Sequence, residues 1–409
     1  MRSPHERRTR AARVRLRERG DDCLVLFPST NLLYLSGFEE QPGERHLLLF
    51  VPAAVDGDAD ADAAGADAAV AGADADTAGV EAADLDASGA TRDPVFLVPE
   101  LYGEQVRRES WVPDVRTWAD DEDPRAAVAA VLADLGVDDG RVLLDDTMHA
   151  RFTLDLREAL PDAEFGLASE VLSELRVRKD DAELDAMARA GDVADAVIED
   201  LRARDGDVVG DTEAELAEYV EDRLAHHGGA GVSFETIVGS GPNGAMPHHA
   251  HGEREIGAGE PVVLDFGTRV DGYPSDQTRT LVFGADEVEP SATVREVHDV
   301  VREAQRAGVD AVEPGVTAGA VDAAAREVIE DAGYGGEFIH RTGHGVGLDV
   351  HEEPYVVAGS DRELAEGMTF SVEPGVYLPD EFGVRIEDLV VVTEDGCERL
   401  NHTDRGWRP

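Results

Sequence analysis

Four carboxylates and one imidazole in the last third of the chain, Asp265, Asp276, Glu373, Glu387 and His344, stand in short strand-like segments punctuated by Gly or Pro. They offer oxygen and nitrogen but no thiolate, a donor set suited to hard and borderline divalent cations. So many carboxylates exceed what a single structural zinc site collects. Two catalytic cations sharing bridging carboxylates account for the charge, and such a pair activates water and polarises the bond to be cut.

Asp265 lies in PVVLDFGTRV and Asp276 in YPSDQTRTLVF, two strand-like arms around Asp271-Gly272. A two-residue turn at Val270-Asp271 or Asp271-Gly272 puts both carboxylates on one face of the hairpin. Two carboxylates on a buried face repel unless protonated or neutralised, and a cation is the simplest neutraliser. Taken alone, the pair reads more readily as two surface residues of a very acidic chain than as a metal site. The stretch FIHRTGHGVGLDVHEEP changes the balance: His340, His344 and His351 are interleaved with Gly343, Gly345 and Gly347, poor for a helix and suited to close backbone approach. Imidazole ligates metals and exchanges protons near neutral pH. GAMPHHAH adds His248, His249 and His251, of which a polar loop accounts for at least two. Glu373 in SVEPGVY and Glu387 in VRIEDLVV interrupt apolar sequence, where a charge needs a partner.

The elements that must hold these residues read as two domains, the prior for 409 residues. From Cys23 to Pro52 the pattern is strand, turn, strand (CLVLF, PSTNLLYLSGF, HLLLFVP), resumed by PVFLVPE and RVLLDD. A low-complexity Ala/Asp/Gly tract at 56–93 lacks large apolar residues and reads as a disordered insertion. The first domain is expected to span 1–167 and the second 168–409. Two helices are expected between Ala168 and His226, with Asp180 or Asp181 as an N-cap, and a further pair at Ala292–Val312 and Ala318–Ala332. A helix pair followed by antiparallel strands, twice over, predicts an α+β domain with internal duplication, although the two halves share little sequence.

The formal charge of −51 disfavours nucleic acid and anionic membranes as partners and fits a high-salt cytoplasm, where a short Debye length screens repulsion. Cys23 and Cys397, the two cysteines, make no disulfide framework, and a reduced cytosol is the expected location. The Arg-rich N-terminus is followed by no apolar stretch able to serve as a signal peptide or membrane span, and reads as a surface helix of the first domain.

Together, VVLDFGTRVDGYPSDQTRT, HRTGHGVGLDVHEEP, SVEPGVYLPDEFG and VRIED resemble the metallopeptidases with the pita-bread fold, most closely the Xaa-Pro peptidases aminopeptidase P and prolidase. The resemblance spans roughly Ser173 to Asp404, and PSTNLLYLSGF and LRVRKDDAELDAMARA look like the creatinase-like α/β N-terminal domain and the domain junction of the same group. It implies a pita-bread domain with pseudo-two-fold duplication, in which Asp265 chelates one metal, Asp276 and Glu387 bridge two, and His344 and Glu373 are ligands that complete the coordination of the second metal. It also implies that His248 and His351 contact substrate or shuttle protons, that His340 lines the substrate pocket, and that Arg385 orients the metal carboxylates; His249 and His251 have no matching role.

The implied activity is hydrolysis of the Xaa-Pro bond, in dipeptides or at the start of longer peptides. Glu373 would carry the proton of the attacking water to the leaving nitrogen, and His248 and His351 would stabilise the oxyanion. Mn²⁺ is the preferred ion because carboxylates outnumber imidazole, with Co²⁺, Zn²⁺ and Fe²⁺ also compatible. A homodimer is the family's usual state. Three competitors are weaker. Methionine aminopeptidase normally lacks the long N-terminal domain, creatinase acts without metal ligands, and inactive peptidase-like binding modules usually lose ligands that this chain keeps.

Overall fold

Continuous apolar runs, rather than alternating ones, build the four inner strands of the N-terminal sheet. The computed structural model describes residues 3–55 and 93–409; the tract expected as an insertion at 56–93 lies, apart from Asp93, outside the described residues. Contacts divide the chain into two compact units, Met1–Leu175 and Arg176–Pro409, somewhat later than the 167/168 boundary expected from sequence.

In the first unit β1 (Cys23–Leu26), β2 (Leu48–Pro52), β3 (Val95–Pro99), β4 (Asp114–Trp118), β5 (Arg141–Leu144) and β6 (Glu164–Leu167) form one sheet in the order β4-β3-β2-β1-β5-β6. β2 is antiparallel to β1 and β3, while the β1/β5, β3/β4 and β5/β6 pairs are parallel. Val25 and Phe50 pack with Val128, Val131 and Phe152 on one face, and Leu24 and Leu26, which alternate to the other, are buried as well. Burial on both faces is why CLVL and LLFVP show no polar alternation. The connection between β1 and β2 is more than a turn: Thr30–Ser36 is a helix, capped by the Ser29 side chain at Leu32 N and stopped by Gly37 at φ 78°. A short apolar run does not by itself distinguish helix from strand, and the caps decide here. The Arg-rich segment forms the helix Pro4–Arg19, which buries Thr9, Ala12, Arg13 and Leu16. Cys23 is fully buried, and burial pushes its thiol up to about 12, removing it as a nucleophile.

Three helices rather than two occupy the stretch to His226: Ser169–Arg176, Asp181–Arg204 and Glu213–His226. Asp180 supplies the break, accepting from Glu183 N while the Glu183 side chain accepts from Asp180 N. In the second unit β7 (Ile237–Ser240), β8 (Pro261–Phe266) and β11 (Gln277–Val282) form a sheet ordered β11-β8-β7, with β9 (Arg269–Val270) and β10 (Tyr273–Pro274) extending the β8/β11 hairpin. The helices Ala292–Asp310 and Ala318–Asp331 follow. Next come β12 (Gly343–Gly345), β13 (Glu352–Val356), β14 (Thr369–Val372), β17 (Asp388–Val392) and β18 (Cys397–Arg399), in a sheet ordered β13-β12-β14-β17-β18, and the separate ribbon of β15 (Gly375–Leu378) and β16 (Phe382–Arg385). Helices and then antiparallel strands thus occur twice. Val294, Val297, Val301 and Ala304 form one helical stripe, which packs with Val376, Val384 and Ile386. Among the described residues no helix is long and apolar enough to cross a membrane.

Candidate metal centre

The hairpin register carries Asp265 and Asp276 to one face. Val270 pairs with Tyr273 and Phe266 with Gln277, so one unbroken alignment runs from the turn into β8 and β11. The turn is Asp271-Gly272, at φ 49° and 84°, the left-handed pair a two-residue hairpin requires. Asp265 faces Thr278 across the ladder, and Asp276 falls on the same face one pleat along. His344 comes from β12, squeezed between β13 and β14. A Cβ on Gly343 would lie 1.8 Å from Ser371 O and one on Gly345 2.1 Å from Glu353 O, so only glycine admits this approach. Glu373 and Glu387 stand between strands, after β14 and β16 respectively, where the chain passes from one sheet to another.

These five side chains line one cavity of about 810 Å³. His344 Nε2 is 3.8 Å from Asp276 Oδ2 and 3.2 Å from Glu373 Oε1. Its Nδ1 lies 3.2 Å from Gly345 O, which fits a ring donating there and turning Nε2 toward the acids. Ligand atoms of Asp276, His344 and Glu387 all fall within 4.8 Å of one another. Arg385 Nη2 donates to Asp265 Oδ2 at 2.6 Å, Thr278 Oγ1 to Glu387 Oε2 at 2.7 Å, and Ser371 Oγ to Glu373 Oε1 at 3.1 Å.

The remaining oxygens are the telling ones. Asp265 Oδ1 and Glu387 Oε1 are buried and have no hydrogen-bond partner among the described residues. Leaving a buried carboxylate oxygen bare is costly, so an external positive charge fits here. Titration points the same way. Burial raises Asp276 well above the ordinary carboxylate range, reinforced by Glu387, Asp265 and Glu373; burial likewise raises Glu387 well above it, reinforced by Glu373 and Asp265. Burial also raises Asp265, against the pull of Arg385. Glu373 goes the other way, down to about 2: burial opposes ionisation, but the hydrogen bond and charge of His344, with His340 and Arg385, outweigh it. The residues therefore fit divalent cations, in charge and in donor type.

His248, His340, His351 and Arg385 line the same cavity, whereas His249 and His251 do not. His340 Nδ1 is 2.7 Å from Arg341 O and its Nε2 2.9 Å from Tyr377 OH. His351 is at the open side, its ring centroid 4.2 Å from that of His344; desolvation, with His344 and Arg341, lowers it to about 4. Arg385 is buried and donates also to Tyr377 OH, Thr278 Oγ1 and Pro247 O. Sequence reasoning missed Tyr377, Thr278, Ser371 and Arg341. Thr278 had a signal, since it follows Asp276 by one strand period, and Tyr377 stands in the Glu373 motif. Arg341 had none beyond its place beside His340.

The profile of metallopeptidase family M24 matches residues 185–394, and that of the creatinase/prolidase N-terminal domain matches 8–59 and 89–178. A probable dipeptidase PepE from Mycobacterium tuberculosis is 39% identical over 402 residues, covering 97% of this chain and 94% of its own. An Xaa-Pro dipeptidase from Lactobacillus delbrueckii subsp. lactis is 34% identical, covering 95% of both chains. Among solved structures, a Thermococcus sibiricus prolidase superposes with a TM-score of 0.85 at 34% identity over 99% of both chains, and a Pyrococcus horikoshii dipeptidase with 0.82 at 38% over 97% of this chain and 98% of its own.

Proposed function

Because the chain belongs to metallopeptidase family M24 and carries a creatinase/prolidase N-terminal domain, we propose that Asp265, Asp276, His344, Glu373 and Glu387 hold two divalent cations that serve the hydrolysis of Xaa-Pro dipeptides. The enzyme is a metallopeptidase of the Xaa-Pro dipeptidase type, with a creatinase-like α/β domain ahead of a pita-bread catalytic domain. The observation that carries the metal assignment is the pair of buried, unpartnered oxygens on Asp265 and Glu387. Bound divalent ions supply an activated water and polarise the scissile carbonyl.

The chain's own residues do the rest. Glu373, kept ionised and held by Ser371, receives the proton of the attacking water and passes it to the leaving nitrogen. His248 and His351, at the cavity's open side, donate to the developing oxyanion. Tyr377 joins His340 to Arg385, so that the pocket wall and Asp265 are set by one hydrogen-bonded chain.

Arg341 favours dipeptides over longer peptides. Its guanidinium stacks on Tyr355, 4.5 Å from the ring centroid, and has no carboxylate partner among the described residues, while Arg385, the cavity's other arginine, is engaged by Asp265 and Tyr377. A dipeptide carries its free carboxylate beside the scissile bond; a longer peptide carries an amide there. In a high-salt, Mn²⁺-supplemented assay, R341Q is expected to raise KM for an Xaa-Pro dipeptide about 10- to 100-fold, the worth of a hydrogen bond to a charged group, and to leave an Xaa-Pro-amide unaffected. Equal losses on both would remove the carboxylate role, and no hydrolysis of either by the metal-loaded wild type would defeat the proposed specificity.

We also propose Mn²⁺ as the native ion, for the excess of carboxylates over imidazole, with elemental analysis as its test. A homodimer is checked by light scattering. The charge of −51 predicts a folded state whose urea midpoint rises steeply with salt, and a flat dependence would remove the high-salt reading.

A further inference from the structure

His249 and His251 take no part in the cavity, yet the loop they belong to brings His248 to its rim. That loop leaves β7 at Ser240 and is tied down by one fully buried carboxylate, Glu213, the first residue of the helix Glu213–His226. Glu213 Oε1 accepts from Ser240 N at 2.8 Å, Ser240 Oγ at 2.7 Å and Asn243 Nδ2 at 3.0 Å. Its Oε2 accepts from Asn243 Nδ2 at 3.0 Å and lies 2.8 Å from His249 Nε2. His251 Nδ1, 3.0 Å from Thr236 O, holds the far end of the segment to the strand side.

A second anchor comes from the metal centre. Arg385 Nη1 donates to Pro247 O at 3.2 Å while its Nη2 holds Asp265. His248 therefore stands between two fixed neighbours: Pro247, held by the arginine that grips a metal carboxylate, and His249, held by a carboxylate buried in the interior. Backbone bonds from His249 N to Met246 O at 3.0 Å and from Val238 N to Ala250 O at 2.6 Å shape the segment, and the Glu213 contact is what fixes the His249 side chain next to His248. A substrate-contacting group gains its effect only when its position is set in advance.

We infer that the Glu213–His249 pair is a positioning device for His248, acting on substrate only through that residue. The inference rests on the proposed peptidase reading for its kinetic test but not for its structural one. In the metal-loaded, full-length protein, H249A is expected to lower kcat/KM for an Xaa-Pro dipeptide about tenfold with metal content unchanged, and H249Q, whose amide donates to the same carboxylate, to recover most of it. The loss should vanish in the H248A background, because a residue acting through His248 has nothing left to position. If H249A adds its full loss to that of H248A, or leaves kcat/KM within about twofold of wild type, the pair is merely structural.

Hydrogen exchange keeps the question decidable without activity. Amides of residues 241–251 are expected to exchange about tenfold faster in H249A than in wild type, and near wild-type rates in H249Q. Unchanged exchange in H249A overturns the inference, and it does so even if the wild type hydrolyses no dipeptide, the result that would instead remove the proposed function.

Discussion

Glu387 and Asp388 are adjacent, both acidic and both buried, yet the two sides of the chain they face have opposite electrostatics. Successive side chains near a strand point to opposite faces, so one turns toward the cavity and the other into the interior. Asp388 is closed: Oδ1 accepts from Arg279 at 2.7 Å, and Oδ2 from Gln305 and Arg399, each at 3.0 Å. Glu387 is open, with Oε2 taken by Thr278 and Oε1 bare. In a chain this rich in acids, a buried carboxylate does not mark a site. What marks one is a lone pair that the fold leaves unpaired in a place where an ion can reach it.

Breaking each side in turn should give different failures. E387A removes an open acid: hydrolysis is expected to fall to background and at least one of two metals to be lost by elemental analysis, with the folded state retained. Near-normal turnover would show that Glu387 is no ligand. D388A removes the closed one and strands Arg279, which is only 1% exposed. The expected cost is about 3–5 kcal/mol in urea unfolding, with metal content per folded chain kept. A variant as stable as wild type would mean that the network is dispensable.

His298 tests a third condition, a titratable group buried without charge. Its Nδ1 has no partner among the described residues, its Nε2 is 3.2 Å from Thr280 O, and burial, with Arg302 adding to it, pushes it down to about 4. Below about pH 6.5 the unfolded chain takes a proton that the folded chain refuses, so stability attributable to this group falls as pH drops from there toward 4. Between pH 6.5 and 5.5 the wild type should lose about 1 kcal/mol more than H298Q. Identical losses in urea titrations at the two pH values would show that the ring is protonated in the folded state.

Much of this organisation was legible locally. Asp271-Gly272 between apolar arms specified the hairpin and, with it, the shared face of Asp265 and Asp276. The apolar stripe of Ala292–Asp310 specified a helix because its packing partners all lie on one side. The helix Thr30–Ser36 was not legible, since its short apolar run satisfies either period; the Asp180 cap was read from sequence, but not that the short helix Ser169–Arg176 stands apart ahead of it. Nor was His249: beside His248 it reads as one more loop histidine until Glu213 is found beneath it.

Sequence alone determined the donor set, the order of the motifs that carry it and the family they belong to, because metal preference follows from the chemistry of the ligating atoms. Only the tertiary structure decided which of those acids stay open. Whether a carboxylate is satisfied depends on donors brought from far along the chain, Arg279, Gln305 and Arg399 to Asp388 and, among the described residues, Thr278 alone donating to the Glu387 side chain, and no spacing within a motif encodes them.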